Sequence, residues 1–385
     1  MVLSLKSIRK RFGGIVALRG CDLDVRPGEV HLLLGENGAG KSTLMKIAAG
    51  IEHADSGEML WQGAPAAFRT PAEAQRAGIA MVHQESLLAP HLTVAENIFL
   101  GREPKGPLGW VDRGRTLAAA RRLIAEHNFP LEAETRVDRL TPAGKQMVEI
   151  CRAIAHGSSL LIFDEPTSAL SAGESEEVFR IVGALRARGT AIIYITHRME
   201  ELRAVGDRVT VLRDGESVYC GDMTAASTGD LIRHMVGRSF EAVYRREPLP
   251  PGKEMLRVQD LRLHGTLSNV SFTLHAGEIT GLAGLMGAGR TELCRAIFGV
   301  DPIHSGAVFV DGVPVRIRSP RDAVRAGIAL VPEDRQRAGL APGLPTGQNM
   351  TLASLENLYR FGFTDDPRER GVIAEQSARL RLKLG

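Results

Sequence analysis

With 385 residues the chain is too long for one ordinary domain, and two are expected. Hydrophobic residues make up 44% and charged residues 24%, the balance of a soluble globular protein; a net charge of +3 is too small to argue for nucleic acid, and no apolar run approaches the roughly 18 residues that cross a bilayer. The four cysteines, Cys21, Cys151, Cys220 and Cys294, are too scattered for a metal site and read as buried thiols in a reducing compartment.

Residues 1–6 read as a strand without a secretion-signal core, so the chain is expected in the cytosol, reaching a membrane only through a partner. Residues 2–34 alternate like antiparallel strands leading into an apolar one, Val30-His31-Leu32-Leu33-Leu34. Phe12, beside turn glycines, suits stacking on a base or core packing. The apolar strand runs into Gly35-Glu36-Asn37-Gly38-Ala39-Gly40-Lys41-Ser42, the phosphate-loop pattern, and then into Thr43 and a helical repeat of Leu44, Met45, Ile47 and Ala48 that ends at a capping Gly50. Each residue type answers to phosphate chemistry. Gly35, Gly38 and Gly40 let the backbone turn its N–H groups toward phosphate oxygens, and the start of the helix adds positive field. Lys41 supplies a point charge for the β- and γ-phosphates, and the Ser42 hydroxyl supplies a ligand for Mg²⁺.

Met81-Val82-His83-Gln84-Glu85 ends another strand; Gln84 is placed to bridge Mg²⁺ and an attacking water, while His83 reads as packing. Residues 88–150 read as a helical insertion in an α/β core, with Asp112 capping a helix that carries Leu117, Leu123 and Ile124 on one face. Leu160-Leu161-Ile162-Phe163-Asp164-Glu165 is an apolar strand ending in two acids. Asp164 is placed to hold Mg²⁺ through water, and Glu165 to take a proton from the attacking water. Ala191-Ile192-Ile193-Tyr194-Ile195-Thr196-His197 is a second buried strand, and ligands of open α/β sheets sit at such strand ends. Alone, His197 reads as a core histidine; in this set it reads as a γ-phosphate sensor.

The chain also repeats itself. Displaced by 249 positions, Gly28-Glu29 falls on Gly277-Glu278, Gly35 on Gly284, and Gly38-Ala39-Gly40 on Gly287-Ala288-Gly289; the register holds through Gln84, which falls on Glu333. Lys41 becomes Arg290 and Ser42 becomes Thr291. A wide planar guanidinium is a poor substitute in a tight phosphate cradle, so the second loop is expected to hold a nucleotide and turn it over slowly. Between the copies lies a proline-rich linker containing Pro248, Pro250 and Pro251. The second copy stops at Gly385, before counterparts of 140–146, 160–165 and His197, as expected of a fragment or of a truncated module.

These motifs in this order resemble the ATPase subunits of ABC transporters, over essentially the whole chain. The resemblance implies an α/β P-loop NTPase with an antiparallel β subdomain and a helical insertion, in tandem: a first nucleotide-binding domain at 1–240, a linker at 241–254, and the first part of a degenerate second domain at 255–385. It implies ATP with Mg²⁺, adenine stacked on Phe12, and catalysis by Glu165, His197 and Gln84. Leu140-Thr141-Pro142-Ala143-Gly144-Lys145-Gln146 falls where the family carries its Leu-Ser-Gly-Gly-Gln signature. Thr141 replaces the Ser, Ala143 the first Gly, and Ser171 the aspartate that follows Ser168-Ala169-Leu170. A weak first signature together with Gly289-Arg290-Thr291 is similar to the monosaccharide importers of the ribose, xylose and galactose type.

In that family two modules meet head to tail, each ATP lying between one phosphate loop and the other module's signature. The resemblance thus implies as partners a second ABC module in cis or in trans, membrane permease subunits at the cytoplasmic face, and indirectly an extracytoplasmic sugar-binding protein. Nucleosides or autoinducers are alternative cargo. A soluble ABC ATPase of translation or repair fits less well: the linker is short, no coiled coil fits between Lys41 and Leu140, and zinc-binding Cys pairs are missing. A non-catalytic regulator is the remaining alternative.

Overall fold

The computed structural model describes residues 1–385 except 83–87, 107–108, 156, 169, 197, 238–249, 266, 285–286, 335–337, 361–362, 381 and 383–385, and the side chains of Ala172 and Arg360. Contacts divide the chain into two units, Met1–Arg245 and Arg246–Gly385.

In the first unit β1 (Leu3–Phe12) and β2 (Ile15–Val25) form an antiparallel hairpin, with Phe12 opposite Ile15. β4 (Ser56–Trp61) pairs with the other edge of β1, and β5 (Ala64–Pro65) with β4. The other strands are mostly parallel. β3 (Val30–Leu34) lies between β8 (Ala191–Ile195) and β9 (Arg208–Arg213); beyond β8 come β7 (Leu160–Asp164) and β6 (Ile79–Val82). β10 (Glu216–Asp222) runs antiparallel to β9 and meets β2 where Glu216 faces Gly20, joining the two sets.

Parallel neighbours need long crossovers, and helices supply them. They are α1 (Lys41–Ala48), α2 (Pro71–Ala77), α3 (Val94–Ile98), α4 (Arg113–Glu126), α5 (Pro142–Ala155), α6 (Ala172–Ala187) and α7 (Met199–Val205), with α8 (Thr228–Val236) after the last strand. Helices on both faces explain why β3, β7 and β8 are near-continuous apolar runs, interrupted by His31 in β3 and ended by Asp164 in β7, rather than alternating. Side chains still point to opposite faces in turn. Leu32, Leu161, Phe163, Ile192 and Tyr194 enter one core with α5 and α6, while Leu33, Ile162, Ile193 and Ile195 enter the other with α1.

Asp112 caps α4 by accepting from the Arg115 amide at 2.9 Å; Ile124 is buried, and Leu117 and Leu123 pack against the core beside it. α1 stops at Ala48, and Gly50, two residues on, takes the left-handed conformation at φ 69°. The cysteine expectation needs correction. Cys21 and Cys151 are buried, but Cys220 lies exposed on β10 and Cys294 is half-buried. No helix among the described residues is long and apolar enough to cross a membrane.

In the second unit β11 (Glu254–Leu263), β12 (Leu267–His275), β13 (Ser305–Val310) and β14 (Val313–Val315) make a sheet of order β12-β11-β13-β14, the order β2-β1-β4-β5 of the first unit. α9 (Arg290–Ile297) buries Leu293, Ala296 and Ile297 against Val258, Leu261 and Val308. Then come α10 (Pro320–Arg325), α11 (Thr346–Thr351) and α12 (Asp366–Arg379). Residues 279–283 and 328–331, the counterparts of β3 and β6, form no strand; Ile279, Leu282 and Val331 are 77%, 42% and 92% exposed. In the first unit β3 and β6 are held by β7, β8 and β9. Among the described residues of the second unit no strand flanks 279–283 or 328–331 as β7, β8 and β9 flank β3 and β6 in the first. Gly252, inside the stretch expected to be linker, already bonds through its amide to the Ala276 carbonyl.

Candidate nucleotide site

β3 delivers the chain to the phosphate loop at the C-terminal edge of the parallel strands. Gly35 sits so close to β9 that a Cβ there would lie 2.4 Å from the Leu212 carbonyl oxygen. Gly40 (φ 100°) is similarly pressed, its missing Cβ falling 2.5 Å from Leu18 Cδ2 and 2.9 Å from the Ala17 oxygen. β2 and β9 thus clamp the two ends of the loop. Glu36, Asn37 and Gly38 between them are exposed, as are Ser42 and, in part, Thr43, while Ala39 is buried. α1 starts at Gly40 with no side-chain cap and no acid in its first turn, which leaves its amides and their positive field for an anion.

Lys41 is 7% exposed, and its amine donates to the Gly35 oxygen at 2.7 Å and the Glu36 oxygen at 3.0 Å. Burial holds the amine below its ordinary 10.5, against the pull of the Glu165, Asp164 and Glu36 carboxylates. That pull places both strand-end acids within electrostatic reach of the loop. Glu165, just past β7, is left-handed at φ 50°, a conformation costing a non-glycine residue about 1–2 kcal/mol. It is held there by its amide, which donates to the Ile195 oxygen at 3.0 Å, and by its own oxygen, which accepts from the Ser168 amide at 3.2 Å. Phe12 is not in the core; it is 43% exposed at the tip of the β1–β2 hairpin, with the Lys10 amine 5.3 Å above its ring. Gln84 and His197 lie outside the described residues.

Behind the turn that carries Glu165 is a polar cluster that no sequence motif announced. Glu201, in the first turn of α7, is 4% exposed and accepts from Thr167, Tyr194, Thr196 and Arg198. Burial, followed by the charge of Glu201, pushes the Tyr194 phenol well up. An acid at a helix start is ordinarily explained by the helix dipole, which hid this one.

The signature stretch opens α5. The Thr141 hydroxyl accepts from the Gly144 amide at 3.2 Å, so it is a helix cap, with Ala143 and Gly144 half-buried beside it. Ser171 does the same for α6, sharing a capping box with Glu174. In the second unit Gly289 (φ 85°) again starts a helix without a side-chain cap, but Glu292 stands in its first turn where the first copy has Thr43. Gly284, Gly287, Arg290, Thr291 and Glu333 are exposed, in contrast to the buried Lys41.

A parallel sheet with a glycine loop, a buried lysine and two strand-end acids at one edge defines a phosphate-loop nucleotide-binding protein. The family model described as ABC transporter matches residues 18–168 and 267–382, and the chain is a nucleotide-binding member of the ABC transporter family. A putative ribose/galactose/methyl galactoside import ATP-binding protein of Burkholderia cenocepacia is 50% identical over 365 residues, 94% of this chain and 71% of that protein. The ribose import ATP-binding protein RbsA 1 of Rubrobacter xylanophilus is 49% identical over 386 residues, 99% of this chain and 76% of its own length. Among solved structures, the ADP conformation of an ATP-binding cassette of an ABC transporter aligns with a TM-score of 0.54 at 25% identity, covering 62% of this chain and 99% of that one.

Proposed function

We propose that the chain is the ATPase subunit that energises import of a sugar, in our reading a monosaccharide, through an ABC transporter. The observation that carries the proposal is the buried Lys41 amine under a clamped glycine loop, with Asp164 and Glu165 within its electrostatic reach. The names of the relatives supply the cargo class.

ATP enters as substrate. Its phosphates take the free amides of the loop and of the first turn of α1, Lys41 neutralises charge on the β- and γ-phosphates, and adenine stacks on the exposed Phe12. Glu165 accepts a proton from water as that water attacks the γ-phosphorus and the bond to ADP breaks. The donors fit Mg²⁺, which prefers hydroxyl and carboxylate oxygens. The exposed Ser42 hydroxyl and Asp164 would hold the ion, with Gln84 as a further ligand; when bound it would offset phosphate charge. His197 is assigned the γ-phosphate.

The second loop is assigned a weaker role. Glu292 sets negative charge where the phosphates need positive, and exposed Arg290 replaces the buried lysine. Permease subunits are assigned to a groove of about 230 Å³ lined by Ala49, Ile51, Gln75, Met81, Val82 and Arg152, because Val82 leads directly into the Gln84 stretch. With that assignment the chain is proposed to work at the cytoplasmic face of a membrane, with a sugar-binding protein on the far side.

The test is Glu165→Gln in the full chain. Retained Mg·ATP binding with hydrolysis reduced at least about a hundredfold is expected. Unchanged turnover would remove Glu165 from the role given to it.

A further inference from the structure

A buried carboxylate is costly unless donors surround it, and those around Glu201 are drawn from two separate turns and from β8 itself. Oε1 accepts from the Thr167 hydroxyl at 2.6 Å and from the Arg198 guanidinium at 3.3 Å. Oε2 accepts from the Thr196 hydroxyl at 2.8 Å and from the Tyr194 hydroxyl at 3.2 Å. Thr167 belongs to the turn after β7, two residues beyond Glu165, whereas Thr196 and Arg198 follow β8. Arg198 adds a direct tie, donating to the Thr167 carbonyl oxygen at 3.2 Å.

The chemistry of the hub matters. An ionised carboxylate only accepts, so both threonine hydroxyls must aim their hydrogens at Glu201. That leaves the Thr196 oxygen free to accept the Arg198 amide, which it does at 3.0 Å. One side chain therefore fixes two hydroxyl rotors, and through the Thr196 oxygen it also holds the Arg198 amide. Glu201 has no role in the hydrolysis steps above, and solvation alone would leave such an acid on the surface.

We infer that Glu201 is a positioning residue that ties the turn carrying Glu165 to Thr196 and Arg198 after β8, so that the proton acceptor keeps a fixed position against the end of β8. The inference rests on the ATPase reading above.

The full chain carrying Glu201→Ala, Glu201→Gln or Thr196→Val tests it by three measurements: binding of a fluorescent ATP analogue, steady-state hydrolysis, and amide hydrogen exchange of peptides spanning 165–168 and 196–198. For Glu201→Ala, kcat should fall about 10- to 100-fold while analogue affinity and KM stay within about threefold, the pattern of a misaimed group. Exchange should accelerate in both turns and not across the rest of the first unit. Thr196→Val should cost activity alone and nothing more on top of Glu201→Ala. Glu201→Gln keeps the shape with one accepting oxygen, so it should show a smaller loss of the same kind and carries the test if the alanine variant does not fold. Unchanged kcat, release of one turn only, or acceleration spread over the whole unit would overturn the inference. If the unaltered chain failed to bind the analogue, the ATPase reading would fall and the inference with it. Tight binding with no change in any of the three variants would sink the inference alone.

Discussion

Replacing Lys41 with methionine removes a charge and almost no volume. In the folded chain the amine makes two charge-assisted hydrogen bonds to loop carbonyls, at 2.7 and 3.0 Å, and burial already disfavours its charged form. These effects oppose each other in stability: the bonds are lost, but so is the cost of burying the ammonium. The net change should stay within about 1–2 kcal/mol. Nucleotide binding has no such compensation. A hydrogen bond between charged groups is worth about 1.5–3 kcal/mol, so Mg·ATP affinity should fall about 10- to 150-fold. Arg290→Met should change affinity less than about twofold, because Arg290 is exposed and its field is screened. Equilibrium titration with a fluorescent ATP analogue, paired with urea unfolding of each variant, measures both quantities. Equal affinity losses for the two variants, or a Lys41→Met affinity within threefold of the parent, would refute the reasoning.

Gly40→Ala meets Leu18 and the Ala17 carbonyl in a left-handed conformation and should cost about 2–4 kcal/mol; Gly38→Ala (φ 85°), with nothing within 4 Å, should cost only about 1–2 kcal/mol. Urea midpoints separate the two. His31 is fully buried, bonded to Glu29 and Thr210, and burial holds its imidazole below the ordinary 6.5. The unfolded chain therefore takes up this proton first as pH falls, so stability is full above 6.5 and declines below it toward the depressed native value, by at most about 1.4 kcal/mol per pH unit. His31→Gln should flatten unfolding curves over that window; an unchanged slope would contradict the assignment. In the native chain a maleimide should label exposed Cys220 and leave Cys21 and Cys151 unmodified until denaturant is added, as peptide mass spectrometry would read out.

The phosphate loop was legible because the spacing of its glycines, Lys41 and Ser42 answers to the phosphate, although the clamping of Gly35 by Leu212 and of Gly40 by Ala17 and Leu18 was not. The strands at 160–164 and 191–195 were legible because burial on both faces leaves apolar runs at 160–163 and 191–195. Glu201 was not, because its partners lie at 167, 194, 196 and 198 and only the sheet brings them together. The exposure of Cys220 was hidden for a related reason, since which face of β10 turns outward depends on β9 and β2 rather than on its own letters. At 279–283 a repeat of letters does not carry a repeat of structure. The letters match those of β3 closely enough to suggest a strand, yet β3 is a strand because β8 and β9 flank it.

That dependence also sets an order of events on the ribosome. The loop is translated early, yet one end is braced by the Leu212 carbonyl and the strand before it is pinned between residues 191–195 and 208–213. At typical elongation rates of about 5–20 residues per second, on the order of ten seconds or more separates synthesis of the loop from arrival of its last brace. Through that interval the nascent chain carries its nucleotide-recognition residues without the geometry that makes them a site. Competence to hold ATP is thus expected only after the ninth strand docks.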